Sequence, residues 1–440
     1  MPSRGPRYAR RWLVAVVVIL LLVGCTVAVL LLRAPKNVSH PDVSFTSPSV
    51  TTTTRTTKTT AKAPPPPPPF VWPMFGYDAA RTRAFTGDPD LTPPLRVAWK
   101  FGGNALLEFP PVIDGDTLYF EDDGATAKAV DIVTGKQRWK THLGTLSAAT
   151  PAIASSLGLI IVPTLSDTGS SPGNGRIAAL SMATGRVVWS RPLPYGGESS
   201  PIVAGRTVYF GDQDGTLYAL AARTGKVDWT YQASGAIKGG PALVDGILYF
   251  GDYAGRAYAV RAADGDQVWA VSTGGSDFGF GSGNFYSTPA VAFGRVYMGN
   301  TDGFVYSFAA GTGQLAWATS TGDYVYASPA VADVPGLGPS VFLGSYNGDF
   351  YAFNARSGAI EWTHPSGGRI SGSATIVNGV VYYSTLGTRT TTGLDAATGR
   401  TLFSFPDGAF TPVVADRSAI FLDGYDVIYE LLPAGRRSAR

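Results

Sequence analysis

The feature that most constrains this chain is a motif repeated seven times: a turn of small residues, a glycine, and an aromatic four residues later. The cores run from AVDIVTGKQRW (Gly135, Trp139) through AALSMATGRVVW (Gly185, Trp189), YALAARTGKVDW (Gly225, Trp229) and YAVRAADGDQVW (Gly265, Trp269). They continue with YSFAAGTGQLAW (Gly313, Trp317), YAFNARSGAIEW (Gly358, Trp362) and TGLDAATGRTLF (Gly399, Phe403). Successive glycines are 50, 40, 40, 48, 45 and 41 residues apart. A period in the forties with strand-like flanks specifies a β-propeller or a similar array.

One repeat, PALVDGILYFGDYAGRAYAVRAADGDQVWAVS from Pro241, divides at its glycines into four short apolar runs bounded by Gly or Asp. Runs of this kind read as four strands joined by tight turns, one propeller blade. The motif glycine is expected at positive φ, where other residues are strained. The tryptophan then falls on the outermost strand, where it can dock on the next blade and bury a large ring.

Seven motifs do not complete the ring. After Phe403, TPVVADRSAIFLDGYDVIYELLPAGR supplies three more strands and no Trp strand, while LRVAWKFGG upstream has Trp99 without a preceding turn. The two fragments complement each other, which predicts an all-β, eight-bladed propeller over 71–433 whose last blade is closed by the N-terminal strand. Closure of this kind leaves no open sheet edge between the first blade and the last.

The pattern A-x-D-x-x-T-G-x-x-x-W, at Ala129, Asp131, Thr134, Gly135 and Trp139, resembles the pyrroloquinoline quinone (PQQ) repeat. That family includes quinoprotein alcohol dehydrogenases and BamB-like outer-membrane assembly lipoproteins. The lead-in WPMFGYDAARTR (Trp72–Arg83) is similar to the lead-in of many members. The resemblance implies the fold, and either an interaction module or a dehydrogenase using PQQ and calcium. The dehydrogenases carry adjacent cysteines beside the quinone, and this propeller has no cysteine.

Ahead of the propeller, residues 1–11 are a basic tail and Trp12–Leu32 is an uncharged apolar run of 21 residues, long enough to span a bilayer. Arg4, Arg7, Arg10 and Arg11 outnumber Arg33 and Lys36, which predicts a single-pass anchor with a cytoplasmic N-terminus and an extracytoplasmic propeller. Leu22-Val23-Gly24-Cys25 also resembles a lipobox, so lipidation of Cys25 is the alternative anchor. Residues 34–70, with TTTTRTTKTT and Pro64–Pro69, read as a linker and stiff spacer. Cys25 is the only cysteine, so no intramolecular disulfide supports the domain.

The net charge of +3 belongs to the anchor. Residues 1–70 hold nine Lys+Arg and one Asp, leaving 26 basic and 31 acidic residues beyond them. Nucleic-acid binding therefore lacks its electrostatic footprint. His142 and His364 follow docking aromatics and read as structural, and no P-loop, H-E-x-x-H or nucleophile-elbow motif is present. Acidic turns such as GDQDG (Asp212, Asp214) and FEDDG (Asp122, Asp123) recur at one strand-to-strand turn, where Asp caps the backbone.

Each innermost strand is expected to start after a recurring proline: Pro111, Pro151, Pro201, Pro241, Pro289, Pro329 and Pro412, with Ala374 at the eighth place. Three residues earlier stand Glu108, Ala148, Glu198, Lys238, Tyr286, Tyr326, Ser371 and Ala409. If equivalent, they ring one channel mouth. Glu108, Glu198, Lys238, Tyr286 and Tyr326 are its candidate ligand-binding members, near PQQ on the dehydrogenase reading. The loop Gly274–Ser287 adds Phe278, Phe280, Phe285 and Tyr286, and Tyr324 follows in the next blade, suggesting a contact patch for a protein, peptide or glycan. The leading expectation is a non-catalytic extracytoplasmic scaffold module in envelope or cell-wall processes, with no cofactor or metal. A PQQ enzyme and a ligand sensor are the alternatives.

Overall fold

The motif turns set the architecture. In the computed structural model, which describes residues 12, 14–24, 37–48, 69–103, 105–167, 174–273 and 283–435, all seven motif glycines have φ between 66° and 82°. Each turn joins the third and fourth strands of a blade. Blade 4 is representative: Ala242–Val244, Ile247–Gly251, Arg256–Arg261 and Gln267–Ser272 pair antiparallel in order from the channel outward. The register slips by one between Ala259 and Val260, opposite the Trp269 strand, and a slip recurs at the corresponding place in every blade. A bulge there adds local twist to the outer pair.

Eight such sheets form the propeller, with inner strands at Val112–Asp114, Ala152–Ala154, Ile202–Ala204, Ala242–Val244, Ala290–Ala292, Ala330–Val334, Thr375–Val377 and Val413–Ala415 for blades 1 to 8. Blade 8 is completed by Leu95–Gly102, which pairs with Val427–Pro433 as its outermost strand. The closure expected from the two fragments is present.

Each Trp docks on the following blade. A Cβ built on Gly225 would lie 2.6 Å from the Trp189 ring, and the Trp189 indole N–H donates to Ala222 O at 2.9 Å. Trp99 does the same across the closure, with Gly135 and Ile132 O. The ring is thus packed against its neighbour and partly buried while its one polar atom is satisfied. A second tie lies near the axis, in the residues before the recurring prolines. The amides of Thr150, Gly240, Thr288 and Ser328 donate to the hydroxyls of Ser200, Thr288, Ser328 and Ser373, each from the next blade.

The lead-in lines the channel. Val71–Trp72 pairs antiparallel with the inner strand of blade 1, and Ala84–Phe85 pairs parallel with that of blade 7. Between them, inner-strand amides of blades 2, 4, 5 and 6 donate to Pro73 O, Ala79 O, Ala80 O and Thr82 O. The innermost edges of blades 1, 2, 4, 5, 6 and 7, which would otherwise present unpaired amides, are thus met by this one segment.

The stretch read as spacer is only partly one. Val38–Ser39 adds a fifth strand to the outer edge of blade 5, pairing with Leu315–Ser320. Val43 and Phe45 pack on the core between blades 5 and 6. Arg295 donates to Ser44 O at 2.6 Å and to Val43 O, and its guanidinium lies 5.5 Å from the Phe45 ring. Beyond residues 49–68, which lie outside the described residues, Phe70 O accepts from Gly115 N. The Thr/Pro-rich stretch therefore joins two docked points on the propeller.

Residues 12 and 14–24 form a helix in a unit of their own, residues 1–37. Its apolar side chains are exposed, from Trp12 at 72% to Val23 at 53%. Among the described residues no helix is long and apolar enough to cross a membrane. The second part of the apolar run, with Cys25, lies outside them.

Candidate functional site

The positions three before the recurring prolines do converge. Glu108, Lys238, Tyr286, Tyr326 and Ser371 line one cavity of about 40 Å³ at the end of the channel, floored by Phe75 and Phe109. Glu198 joins them from the side: it accepts from Tyr286 Oη at 2.6 Å, from Lys238 Nζ at 3.0 Å and from Gln213 Nε2 at 3.3 Å. Ala148 and Ala409 are buried and contribute no polar group.

The electrostatics of the cluster follow from burial. The Glu108 carboxyl is pushed up to about 7, first by desolvation, then by Asp123 and Glu198, with Lys238 opposing. The Tyr286 hydroxyl is held well above its ordinary value, again by burial first and then by the Glu198 and Glu108 charges. Asp123, in the acidic turn of blade 1, is raised to about 7 by burial and by Asp122. Asp122 itself is paired with Lys128 in the interior. In blades 3 and 4 the same turn is capped as expected: Asp212 accepts from the amides of Asp214 and Thr216, and Asp252 from those of Ala254 and Arg256.

Outward from the cavity runs a chain of tyrosine rings. Tyr253 lies 6.2 Å from Tyr286, Tyr286 5.7 Å from Tyr326, and Tyr326 4.9 Å from Tyr346 and 5.9 Å from Tyr324. Cations interleave: Lys238 Nζ stands 4.7 Å over Tyr253, and the Arg369 guanidinium 5.7 Å over Tyr346. Tyr324 is 47% exposed, so the array opens to solvent at blades 5 and 6.

The expected patch in the long loop is corrected at one residue. Phe285 is fully buried, its ring against Tyr306 and the glycine at 251, where it fills the space between blades 4 and 5. Tyr286 belongs to the cavity wall. Phe278 and Phe280 lie outside the described residues. His142 meets Thr126 Oγ1, and His364 packs 6.4 Å from Tyr383, both on outer strands.

Sequence reasoning missed what fills the axis below the cavity. Arg81 and Arg83 are fully buried. Arg81 donates to the carbonyls of Pro241, Ser200, Pro201 and Phe75, tying blades 3 and 4 to the lead-in. Arg83 donates to Pro329 O, and its guanidinium stacks 4.4 Å from the Phe75 ring. Burial lowers the pKa of both, Arg81 to about 9. The signal available was Arg81 and Arg83 themselves, two cations against the single acid Asp78 in the lead-in.

A closed ring of eight four-stranded blades with an internal lead-in defines the class, an eight-bladed propeller with one channel-mouth site. The chain belongs to the family whose model is described as "Outer membrane protein assembly factor BamB", which matches residues 158–334 and 301–431. No curated protein matches it in sequence. Among solved structures it is similar to BamB from Moraxella catarrhalis, with a TM-score of 0.62 at 16% identity over 78% of this chain and 99% of that one. It is similar also to a europium-containing methanol dehydrogenase, with a TM-score of 0.67 at 16% identity over 80% and 89%. A quinohemoprotein alcohol dehydrogenase from Comamonas testosteroni gives 0.65 at 14% identity over 84% and 81%. Identities this low speak for the fold alone.

Pyrroloquinoline quinone, the cofactor that the dehydrogenase resemblance implies, does not fit the residues of this cavity. A tricyclic quinone with three carboxylates needs a pocket of roughly 300 Å³ or more. The cavity is about 40 Å³, its one ammonium is already paired with Glu198, and its remaining charged group is an acid.

Proposed function

We propose that this protein is a membrane-tethered, extracytoplasmic and non-catalytic propeller that binds a protein partner through its channel-mouth face, in an envelope or cell-wall process. The observation that carries the reading is the tyrosine array with its interleaved cations, open at Tyr324 and backed by a filled channel. Tyrosine and arginine are enriched among the side chains that anchor protein interfaces, and tyrosine buries a large area with little loss of rotamer freedom. An axis occupied by Phe75, Arg81 and Arg83 gives a rigid base and leaves little room for substrate. The tether rests on the uncharged run Trp12–Leu32 and its N-terminal arginines, and on a helix whose apolar side chains find no protein cover.

The test is site-specific photocrosslinking in cells, with p-benzoylphenylalanine at Tyr324 and, as control, at Val188 on the outer rim, which is 54% exposed. A discrete adduct from Tyr324 alone is expected. Equal adducts from both positions, or none from Tyr324, would overturn the interaction face. Retention in the membrane pellet after alkaline carbonate extraction tests the tether separately.

A further inference from the structure

The two glutamates of the channel mouth are in different states. Glu198 is fully committed to Tyr286, Lys238 and Gln213. Glu108 lines the cavity yet accepts no hydrogen bond and forms no ion pair among the described residues. A carboxyl left unmatched in a partly enclosed site is costly, and a group that supplies a positive donor there gains what the protein itself withholds. Lys238 already displays the local chemistry, its ammonium held between the Glu198 carboxylate and the faces of Tyr253 and Tyr286. Around Glu108 the charges do not balance: Asp123, Glu198 and Glu108 itself stand against Lys238 alone. The cavity has room for roughly three waters, or for the polar head of one side chain.

We infer that the cavity receives a single basic side chain, lysine or arginine, of the partner, with Glu108 as its counter-charge and the Tyr286 and Tyr326 rings as its walls. The inference rests on the interaction reading above and names the partner's chemistry. The outer tyrosines Tyr324 and Tyr346 then carry the residues flanking that side chain. Aromatic faces hold a cation through the ring quadrupole, and the effect grows as water is removed. A cation entering beside Glu108 favours its ionised form. Asp123, Glu198, Lys238 and Tyr286 all face that carboxyl; burial first, and then the Asp123 and Glu198 charges, hold its proton on near neutrality. Binding should therefore strengthen as pH rises from 6 to 8.

The experiment uses the full chain in detergent micelles and saturation-transfer NMR with two capped pentapeptides, acetyl-Gly-Tyr-Lys-Tyr-Gly-amide and its norleucine counterpart. Expected is at least tenfold tighter binding of the lysine peptide, a severalfold gain from pH 6 to pH 8, and loss of the preference in Glu108→Gln. Tyr326→Leu, which keeps the carboxylate, should lose part of it, and melting curves of both variants check their folding. Equal binding of the two peptides, or an unchanged preference in Glu108→Gln, would overturn the inference. A Tyr324 crosslink that forms equally in wild type and Glu108→Gln would also overturn it while leaving the interaction face in place. Lysine-selective binding without any cellular crosslink would instead count against the interaction face.

Discussion

At the scale of single residues, two glycines separate conformation from packing. Gly225 and Gly246 both have positive φ, at 67° and 76°, but a Cβ on Gly225 would enter the Trp189 ring while one on Gly246 would meet nothing within 4 Å. Gly246→Ala should cost about 1–2 kcal/mol in chemical denaturation, the left-handed backbone penalty alone. Gly225→Ala should cost about 2–4 kcal/mol, because the indole must leave its seat. Equal costs would show that Trp docking adds little. Glu108 supplies a second prediction. Its ordinary value is 4.5 and its native value about 7, so the folded state keeps a proton that the unfolded chain releases between those values. The stability this adds is complete below pH 4.5 and is lost as pH rises through 7, with Asp123 acting the same way. Glu108→Gln should match wild type near pH 4.5 and exceed it by about 1–3 kcal/mol at pH 8, read from urea midpoints. A variant that is less stable at pH 8 would mean that the carboxylate has a partner.

At the scale of elements, the strap over 38–48 is the piece whose worth is least evident from its composition. Thr, Ser and Pro dominate it, yet it presents Val38, Val43 and Phe45 to blade 5 and offers its carbonyls to Arg295 and Arg356. Blade 5 had already adapted: its outer strand, LAWATS, carries alanines at 316 and 318 where blade 1 has Arg138 and Lys140. Those alanines are covered by the strap, whereas Val188 in blade 2 is exposed. The double variant Phe45→Ala, Arg295→Ala should free the strap, seen as fast amide exchange at residues 38–46, with a loss of about 1–3 kcal/mol and the blades intact. Unchanged protection would mean that strand pairing alone holds the strap.

At the scale of the whole molecule, stability depends on a closure made by residues more than 300 positions apart, Leu95–Gly102 against Val427–Pro433. No disulfide backs it up. Deleting residues 95–101 should unfold the propeller or drive it to a dimer that exchanges the missing strand, measured by melting and by light scattering. A truncated monomer that melts like the intact protein would disprove the dependence. The lead-in should behave likewise, because its carbonyls accept from the inner strands of blades 2, 4, 5, 6 and 7, and Arg81→Met removes donors to blades 3 and 4 in one step.

The amino-acid sequence alone determined the blade count, the closing strand, the seat of each Trp and the set of positions that meet at the channel mouth. These repeat at a fixed period, and a periodic signal survives without knowledge of distant contacts. Only the tertiary structure decided which of two equivalent glutamates is spent on Lys238 and Tyr286 and which is left unmatched, since that depends on where each side chain points in a shared space. It also decided that Phe285 is core, that Arg81 and Arg83 fill the axis, and that part of an apparent spacer is a strand. Each of these follows from contacts made once, between segments far apart in the chain, and such contacts leave no period to read.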